Sequence, residues 1–375
     1  MTTTKNNEHK KLNAPNLRFP EFQGEWNSFL INDVCSEFKS GKNIKADSIS
    51  ESGEYPVYGG NGLRGYTSSY NHEGSYVLIG RQGALCGNVR SVYGKTYITE
   101  HAIAVAGNEK SNTNFLHYLF LKMNLGQYSD QSAQPGLAVN KLLKLKVALP
   151  IISEQTKIAK LLSLLDERIA TQNKIIEDLK KLKSAIIEKH YGQVKKQTTR
   201  IADLGEPFSV GNLAKDDLTE TGIPCVIYGE LFTTYGEIIF HIESYTNKTD
   251  GMILSKKGDL LFPSSTTVDA MSLIAPSVIN VDGVILGGDM FGIHISHNYN
   301  AQYLSYYFNH IAKKQLAKFA KGSTIIHLHY TDIEKAKLLL PSLEEQNRMA
   351  KCLVALDKKV SVEQNLLSSL TCQKS

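Results

Sequence analysis

Slid along itself by 191 residues, the chain meets its own pattern. Pro150 falls on Pro341, Glu154-Gln155 on Glu345-Gln346, Ala159-Lys160 on Ala350-Lys351 and Leu165-Asp166 on Leu356-Asp357. An internal repeat constrains the fold strongly, because both copies must adopt the same local structure. The apolar seam repeats as well. Ile158, Leu162, Leu165, Ile169, Ile176 and Leu179 land on Met349, Leu353, Leu356, Val360, Leu367 and Leu370, and the polar break Gln172 lands on Glu363. Steps of three and four average 3.5 residues, which predicts one long amphipathic helix with a coiled-coil edge in each copy. Pro150 and Pro341 set the starts; Ser153 reads as the cap of the first helix, and Ser342 with Glu345 as a capping box for the second. From Ser153 to about Lys189 the first helix would measure roughly 55 Å at about 1.5 Å per residue. The second segment stops at Ser375. The two helices are therefore expected to differ in length.

Upstream of each helix the copies diverge but keep a frame. Phe115-Leu116 and Tyr118-Leu119-Phe120 match Tyr303-Leu304 and Tyr306-Tyr307-Phe308 at an offset of 188, predicting an aromatic-rich helix in each copy. Asp33-Val34 and Gly41 match Asp203-Leu204 and Gly211 at 170. Between these anchors lie short β-type runs, among them Tyr76-Val77-Leu78-Ile79 and Asp259-Leu260-Leu261-Phe262, set off by Gly, Ser and Asn turns. The predicted class is α/β (α+β): globular unit, long helix, globular unit, long helix, with boundaries at 1–150, 151–192, 193–340 and 341–375. Two such helices are expected to pack antiparallel about a pseudo-twofold axis and to hold the two globular units at opposite ends.

A chain of 375 residues with 42% hydrophobic content builds more than one core. Its net charge of +5 allows a nucleic-acid partner without requiring one. The five cysteines, Cys35, Cys86, Cys225, Cys352 and Cys372, are scattered without a CxxC pair, which argues against a disulfide framework or a thiolate zinc site and for a reduced cytoplasm. Each reads as a small buried residue rather than a nucleophile. Met1 to Leu12 has no apolar signal region and no run approaches about 18 apolar residues, so secretion and a membrane partner are excluded on this reading.

Similar rulers with dissimilar heads imply helices that meet a common partner and heads that recognise different things. On B-DNA, roughly 55 Å covers on the order of 16 base pairs, so two heads would read separated half-sites. Here the sequence resembles the specificity subunits of type I restriction-modification systems. The resemblance spans nearly the whole chain: Pro15-Asn16-Leu17-Arg18-Phe19-Pro20 with Trp26, then Gly59-Gly60-Asn61-Gly62, then Ile79-Gly80-Arg81-Gln82-Gly83-Ala84, and Leu149-Pro150 with Glu154-Gln155 echoed by Leu340-Pro341 with Glu345-Gln346. It implies two target recognition domains, each binding one half of a split sequence in double-stranded DNA. It also implies two helical spacers that dock two methyltransferase subunits, with restriction subunits in the full complex. The chain itself would hold no cofactor; S-adenosylmethionine, and ATP and Mg²⁺ for restriction, would belong to the partners. Two rival readings are a self-contained DNA-modifying enzyme and a two-headed protein-binding scaffold.

Catalytic motifs are missing. The chain has no [DNS]PP[FY] tetrapeptide and no FxGxG loop, as an aminomethyltransferase would. Gly94-Lys95-Thr96 ends like a P-loop, but Val89 stands where its first glycine belongs. Glu8/Lys10 and Glu37/Lys39 have nuclease-like local spacing without a preceding Pro-Asp. His327 and His329 would share a face of a strand, with no third metal ligand near, and read better as surface or DNA-phosphate contacts.

Base readout needs donors and acceptors on loops or helix ends. In the first unit the candidates are Asn61, Arg64 and Tyr66 in one glycine-rich loop and Arg81, Gln82 and Asn88 around another, with an internal Arg81–Glu100 ion pair as the competing reading. Ser132 and Gln134, before Pro135-Gly136, correspond to Lys321, Ser323 and Thr324 around Gly322. Ser264, Ser265, Thr266 and Thr267 replace the Arg-Gln of the first copy, which would give the two heads different half-sites. Lys180, Lys181 and Lys183 read as a solvated helix face.

Overall fold

The computed structural model describes residues 14–15, 17–130 and 135–374. Asn16, Ser132, Gln134 and the Glu8/Lys10 pair lie outside the described residues. Two compact units make up the chain, one reaching to Ile169 and taking in Lys374, the other Ala170–Gln373.

The first unit opens with Asn27–Leu30, paired antiparallel with Lys146–Leu149 just before the first long helix. Its main sheet has six strands in the order Cys35–Ser40, Ala102–Gly107, His72–Gly80, Val89–Ile98, Tyr55–Gly59 and Gly62–Thr67. Every pairing is antiparallel except Tyr55–Gly59 with Val89–Ile98. The aromatic-rich helix Thr113–Met123 covers one face, burying Phe115, Leu116 and Phe120 with Ile79, Ile103 and Val105. Gly94-Lys95-Thr96 lies inside a strand, so no helix N-terminus stands ready to cradle phosphate there. Glu37 lies inside Cys35–Ser40, and its carboxylate takes His72 and Lys39.

The second unit repeats the entry pairing, with Gln197–Arg200 antiparallel to Lys337–Leu340. Its body differs. Two five-stranded sheets replace the single six-stranded one: Gly205–Ser209, Met290–Ile295, Asp259–Pro263, Ser277–Ile279 and Ile238–Ile239 form one, and Leu218–Thr219, Ser244–Thr246, Ile223–Ile227, Ile285–Gly287 and Ile253–Leu254 the other. The aromatic helix Ala301–His310 buries Tyr303, Leu304, Tyr306, Tyr307 and Phe308 against Phe262 and Ile293.

The long helices are Ile152–Gln193 and Leu343–Lys374. The first starts one residue before Ser153, which therefore sits in the first turn; Glu154 and Gln155 donate their backbone N–H groups to the Ile151 carbonyl instead. At the second start, Ser342 Oγ accepts from Glu345 N at 3.4 Å. Only that half of the predicted capping box forms, because the Glu345 carboxylate turns to Arg348 and His190.

The repeated glutamine explains why each helix start carries Glu-Gln. Gln155 donates to the Pro150 carbonyl at 2.8 Å and accepts from Asn112 N at 2.8 Å. Gln346 donates to the Pro341 carbonyl at 2.9 Å and accepts from Asn300 N at 3.0 Å. Asn112 and Asn300 are the N-caps of the two aromatic helices, accepting from Phe115 N and Tyr303 N. One buried amide thus joins the start of each long helix to the start of the aromatic-rich helix of the same copy, and its hydrogen bonds account for its burial.

Within the second unit the two long helices pack antiparallel: Gln172 meets Glu363, Lys183 meets Asp357 and His190 meets Glu345. Gln172 touches its own counterpart under the 191-residue repeat, as a pseudo-twofold pairing requires. The Lys-Lys-x-Lys run is not a uniform solvated face. Lys180 and Lys181 are exposed, but Lys183 continues the seam four residues after Leu179 and is only 12% exposed. Its ammonium lies 2.8 Å from Asp357 Oδ1 and 2.9 Å from Glu237 Oε1. The cysteines divide likewise. Burial pushes Cys35 up to about 12 and Cys225 up to about 11, whereas Cys352 and Cys372, expected to be buried, are exposed on the second long helix.

Candidate nucleic-acid interface

Each unit has one place where a sheet strand ends and is bridged to the loop preceding the last short helix. In the first unit the Arg81 carbonyl accepts from Leu137 N at 2.9 Å, and Gln82 bridges to Gly136. In the second the Ser264 carbonyl accepts from Leu328 N at 2.9 Å, and Ser265 pairs with His327. The same two backbone contacts make Arg81-Gln82 and Ser264-Ser265 structural equivalents, as the sequence comparison expects. A cleft opens beside each.

The first cleft, about 330 Å³, is lined by Gly59, Gly60, Asn61, Arg64, Gln82 and His101. It joins Asn61, Arg64 and Gln82, which are 21 residues apart at their widest spacing in the chain, because the turn between strands Tyr55–Gly59 and Gly62–Thr67 reaches the end of His72–Gly80. Gly62, at φ +106°, makes that turn, a backbone state that side-chain-bearing residues rarely adopt. Asn61, Arg64 and Gln82 are all exposed, and amide and guanidinium donors of this kind suit bidentate contacts to base edges. His101 was not singled out by sequence reasoning; its Nδ1 lies 3.3 Å from Gln82 Oε1 and its Nε2 3.2 Å from Glu100.

The other candidates of this unit fall elsewhere. Arg64 and Tyr66 belong to a strand, not to a flexible loop. Tyr66 is half-buried, its backbone exchanging hydrogen bonds with Ser50 at 2.8 and 2.9 Å, and it does not line the cleft. Arg81 contributes its carbonyl to the bridge; Glu100 takes His101, and among the described residues the Arg81–Glu100 ion pair of the competing reading does not form. Asn88 lines a separate hollow with Leu85, Leu121 and Asn124.

The second cleft, about 560 Å³, is lined by Asp289, Lys321, Gly322, His327, His329 and Asp332. Lys321 and His327 exchange backbone hydrogen bonds at 2.9 and 2.7 Å, closing a hairpin whose exposed tip carries Ser323 and Thr324. The rings of His327 and His329 lie 6.1 Å apart and nearly parallel, on one face as the spacing predicts, although only His327 is in a strand. Among the described residues no group of three His, Cys, Asp or Glu side chains is placed to hold a metal ion. Ser264 and Ser265 are buried in the bridge and present no side chain to the surface, Thr266 is half-buried, and only Thr267 of the four is exposed. Burial follows from the pairing of Ser265–Thr266 with Ile326–His327.

In each copy an ion pair ties the loop preceding the last short helix to that helix, and its polarity is reversed between copies. Asp130 on the first loop meets Lys141 at 2.5 Å; Lys321 on the second meets Asp332 at 2.5 Å. The partners correspond at the 191-residue offset with acid and base exchanged, so a search for identical residues passes over them. The lysine hydrogen bond and a backbone N–H from His329 hold Asp332 below its ordinary carboxylate range.

Comparison with known proteins converges on one family. A family model described as "Type I restriction modification DNA specificity domain" matches residues 23–181 and again 193–371. The EcoprrI type I restriction enzyme specificity subunit of Escherichia coli is 40% identical over 173 residues, which cover 45% of this chain and 42% of that protein. A putative type I restriction enzyme specificity subunit of Haemophilus influenzae, S.HindORF215P, is 25% identical over 351 residues, covering 88% of this chain and 86% of that one. The crystal structure of a type I restriction-modification S subunit from M. genitalium superposes with a TM-score of 0.70 at 17% identity, covering 93% and 94% of the two chains, and so shares the fold. No helix among the described residues is long and apolar enough to cross a membrane. With a repeated helix start, a repeated strand-end bridge and two matches to one domain model that together span most of its length, the chain belongs to the type I restriction-modification DNA specificity family and carries that domain twice.

Proposed function

We propose that the chain is a non-catalytic DNA-recognition subunit that binds a bipartite, asymmetric sequence in double-stranded DNA, leaves the spacer unread, and directs methyltransferase and restriction subunits to it. Residues 1–150 and 193–340 serve as the two target recognition domains, and 151–192 and 341–375 as helical spacers that dock two methyltransferase subunits. Adenine methylation with S-adenosylmethionine, and restriction with ATP and Mg²⁺, belong to those partners, and the complex works in the cytoplasm. The observation that carries this reading is the contrast between the repeated helix-start contacts and the unlike clefts, amides and a guanidinium in one and lysine with aspartates in the other. Repeated contacts suit a repeated partner, whereas unlike clefts suit unlike half-sites. The test is a genome-wide map of methylated bases in cells with and without the gene. Disappearance of one class of marks with two specified blocks and an unspecified gap is the expected result. An unchanged map with the methyltransferase expressed overturns the reading in favour of a protein-binding scaffold.

A further inference from the structure

The second cleft holds both signs of charge, and that mixture points to a particular ligand edge. Lys321 is 75% exposed, yet its ammonium is fixed by Asp332, whose side chain is only 11% exposed. One of three N–H donors is used there and the others are free to face a ligand. The hairpin bearing the lysine turns at Gly322, which has φ +115° and on which a Cβ would lie 2.0 Å from the Ile325 carbonyl oxygen. Asp289 lines the same cleft and is exposed, and its backbone carbonyl accepts from Ser264 N at 2.7 Å. Its side chain makes no ion pair among the described residues. A cleft built for phosphate would present donors alone, since a carboxylate repels phosphate. A donor and an acceptor in one cleft match the major-groove edge of a G·C pair, where guanine O6 and N7 accept and cytosine N4 donates.

We propose that this cleft reads one G·C pair of the second half-site, with Lys321 donating to guanine and Asp289 accepting from cytosine. His327 and His329 flank that pair, and Asp332 is a positioning residue for Lys321. The inference rests on the DNA-recognition reading above and adds to it the residues and the base pair. The first cleft, with Asn61, Arg64 and Gln82, has no carboxylate in its lining, which distinguishes the base pairs the two heads select.

The experiment is a methylation map from cells carrying the full chain with its methyltransferase partner, as wild type, Asp289→Ala and Lys321→Gln. Duplex binding of each purified chain to a randomised-sequence library is measured alongside. In the wild type one block contains a G·C pair. Each variant is expected to make that single position degenerate, lowering discrimination there on the order of 10- to 100-fold, while the other block stays specified. Asp289→Ala is also expected to raise affinity for random duplex, which a purely structural role would not do. If Lys321→Gln lowers the melting temperature by leaving Asp332 unpaired, Asp289→Ala supplies the reading. An unchanged motif in Asp289→Ala, or equal relaxation of both blocks, overturns the inference while leaving the DNA-recognition reading standing. A wild-type map with no split motif takes both down together.

Discussion

Two clusters of the same three residue types brace the long helices, and they are not equivalent. In the first unit the Tyr118 hydroxyl donates to Asp166 at 2.9 Å, and Lys374 pairs with the same carboxylate while lying 5.9 Å from the tyrosine ring centre. In the second, Tyr306 donates to Asp357, and Lys183 pairs with that carboxylate at 2.8 Å, 5.5 Å from the ring centre. Asp and Lys correspond at 191 residues and Tyr at 188. Yet the second lysine is 12% exposed against 31% for the first, and the second pairs with a further carboxylate, Glu237, itself hydrogen-bonded by His310 at 2.8 Å. The same motif thus acts as a surface latch in one unit and as a buried charge network in the other, and solvent screening makes such networks very different in energy.

Lys183→Ala is expected to have the largest effect, a loss of about 3 to 5 kcal/mol in urea unfolding of the full chain, because Glu237 and Asp357 would be left facing each other without their cation. Acid should act on the same network. Burial disfavours the Glu237 charge, but the His310 hydrogen bond and the Lys183 ammonium outweigh it and hold the carboxyl at about 2, below its ordinary 4.5. A depressed pKa contributes stability that is present above about pH 4.5 and is lost as pH falls towards 2, on the order of 3 kcal/mol; the pH dependence of unfolding should flatten over that window in Glu237→Gln. Next comes Gln172→Leu, which removes the amide donor from Glu363 at the paired seam and should cost about 2 kcal/mol. Lys374→Ala, the counterpart of the first variant, should cost under about 1 kcal/mol. A loss equal to that of Lys183→Ala would erase the distinction between the two clusters. Smallest of all, the double exchange Asp130→Lys with Lys141→Asp copies the polarity of the second loop into the first and should change the melting free energy by less than about 0.5 kcal/mol.

The long helices were legible because a seam of period 3.5 is a one-dimensional signal, and a repeat states it twice. Lys183 illustrates where that legibility stopped. Its place four residues after Leu179 puts it on the seam, but a lysine in a Lys-Lys-x-Lys run looks solvated until the carboxylates of Glu237 and Asp357 are brought to it from 54 and 174 residues away. The residues proposed for base readout divide for a similar reason. Asn61, Arg64 and Gln82 were visible as polar groups in glycine-rich stretches and do share a cleft. Ser264 and Ser265 look equally polar, and only the strand pairing with Ile326–His327 shows that they are buried. The first body reads as a sheet with a covering helix, but nothing in its short runs forecasts six strands in one sheet beside two sheets of five in the second.

The sequence by itself determined the doubled plan of this protein: where the long helices begin, which of their residues form the seam, and that similar helices alternate with dissimilar bodies. These are matters of local period, proline placement and capping, which a few consecutive residues specify. Tertiary structure alone decided which polar side chains are satisfied inside and which remain free to meet a ligand. That choice turns on partners distant in the chain, as when Asp332 fixes Lys321 or Glu237 and Asp357 enclose Lys183, and the free energy of a charge is set by what surrounds it in space rather than by its neighbours in sequence.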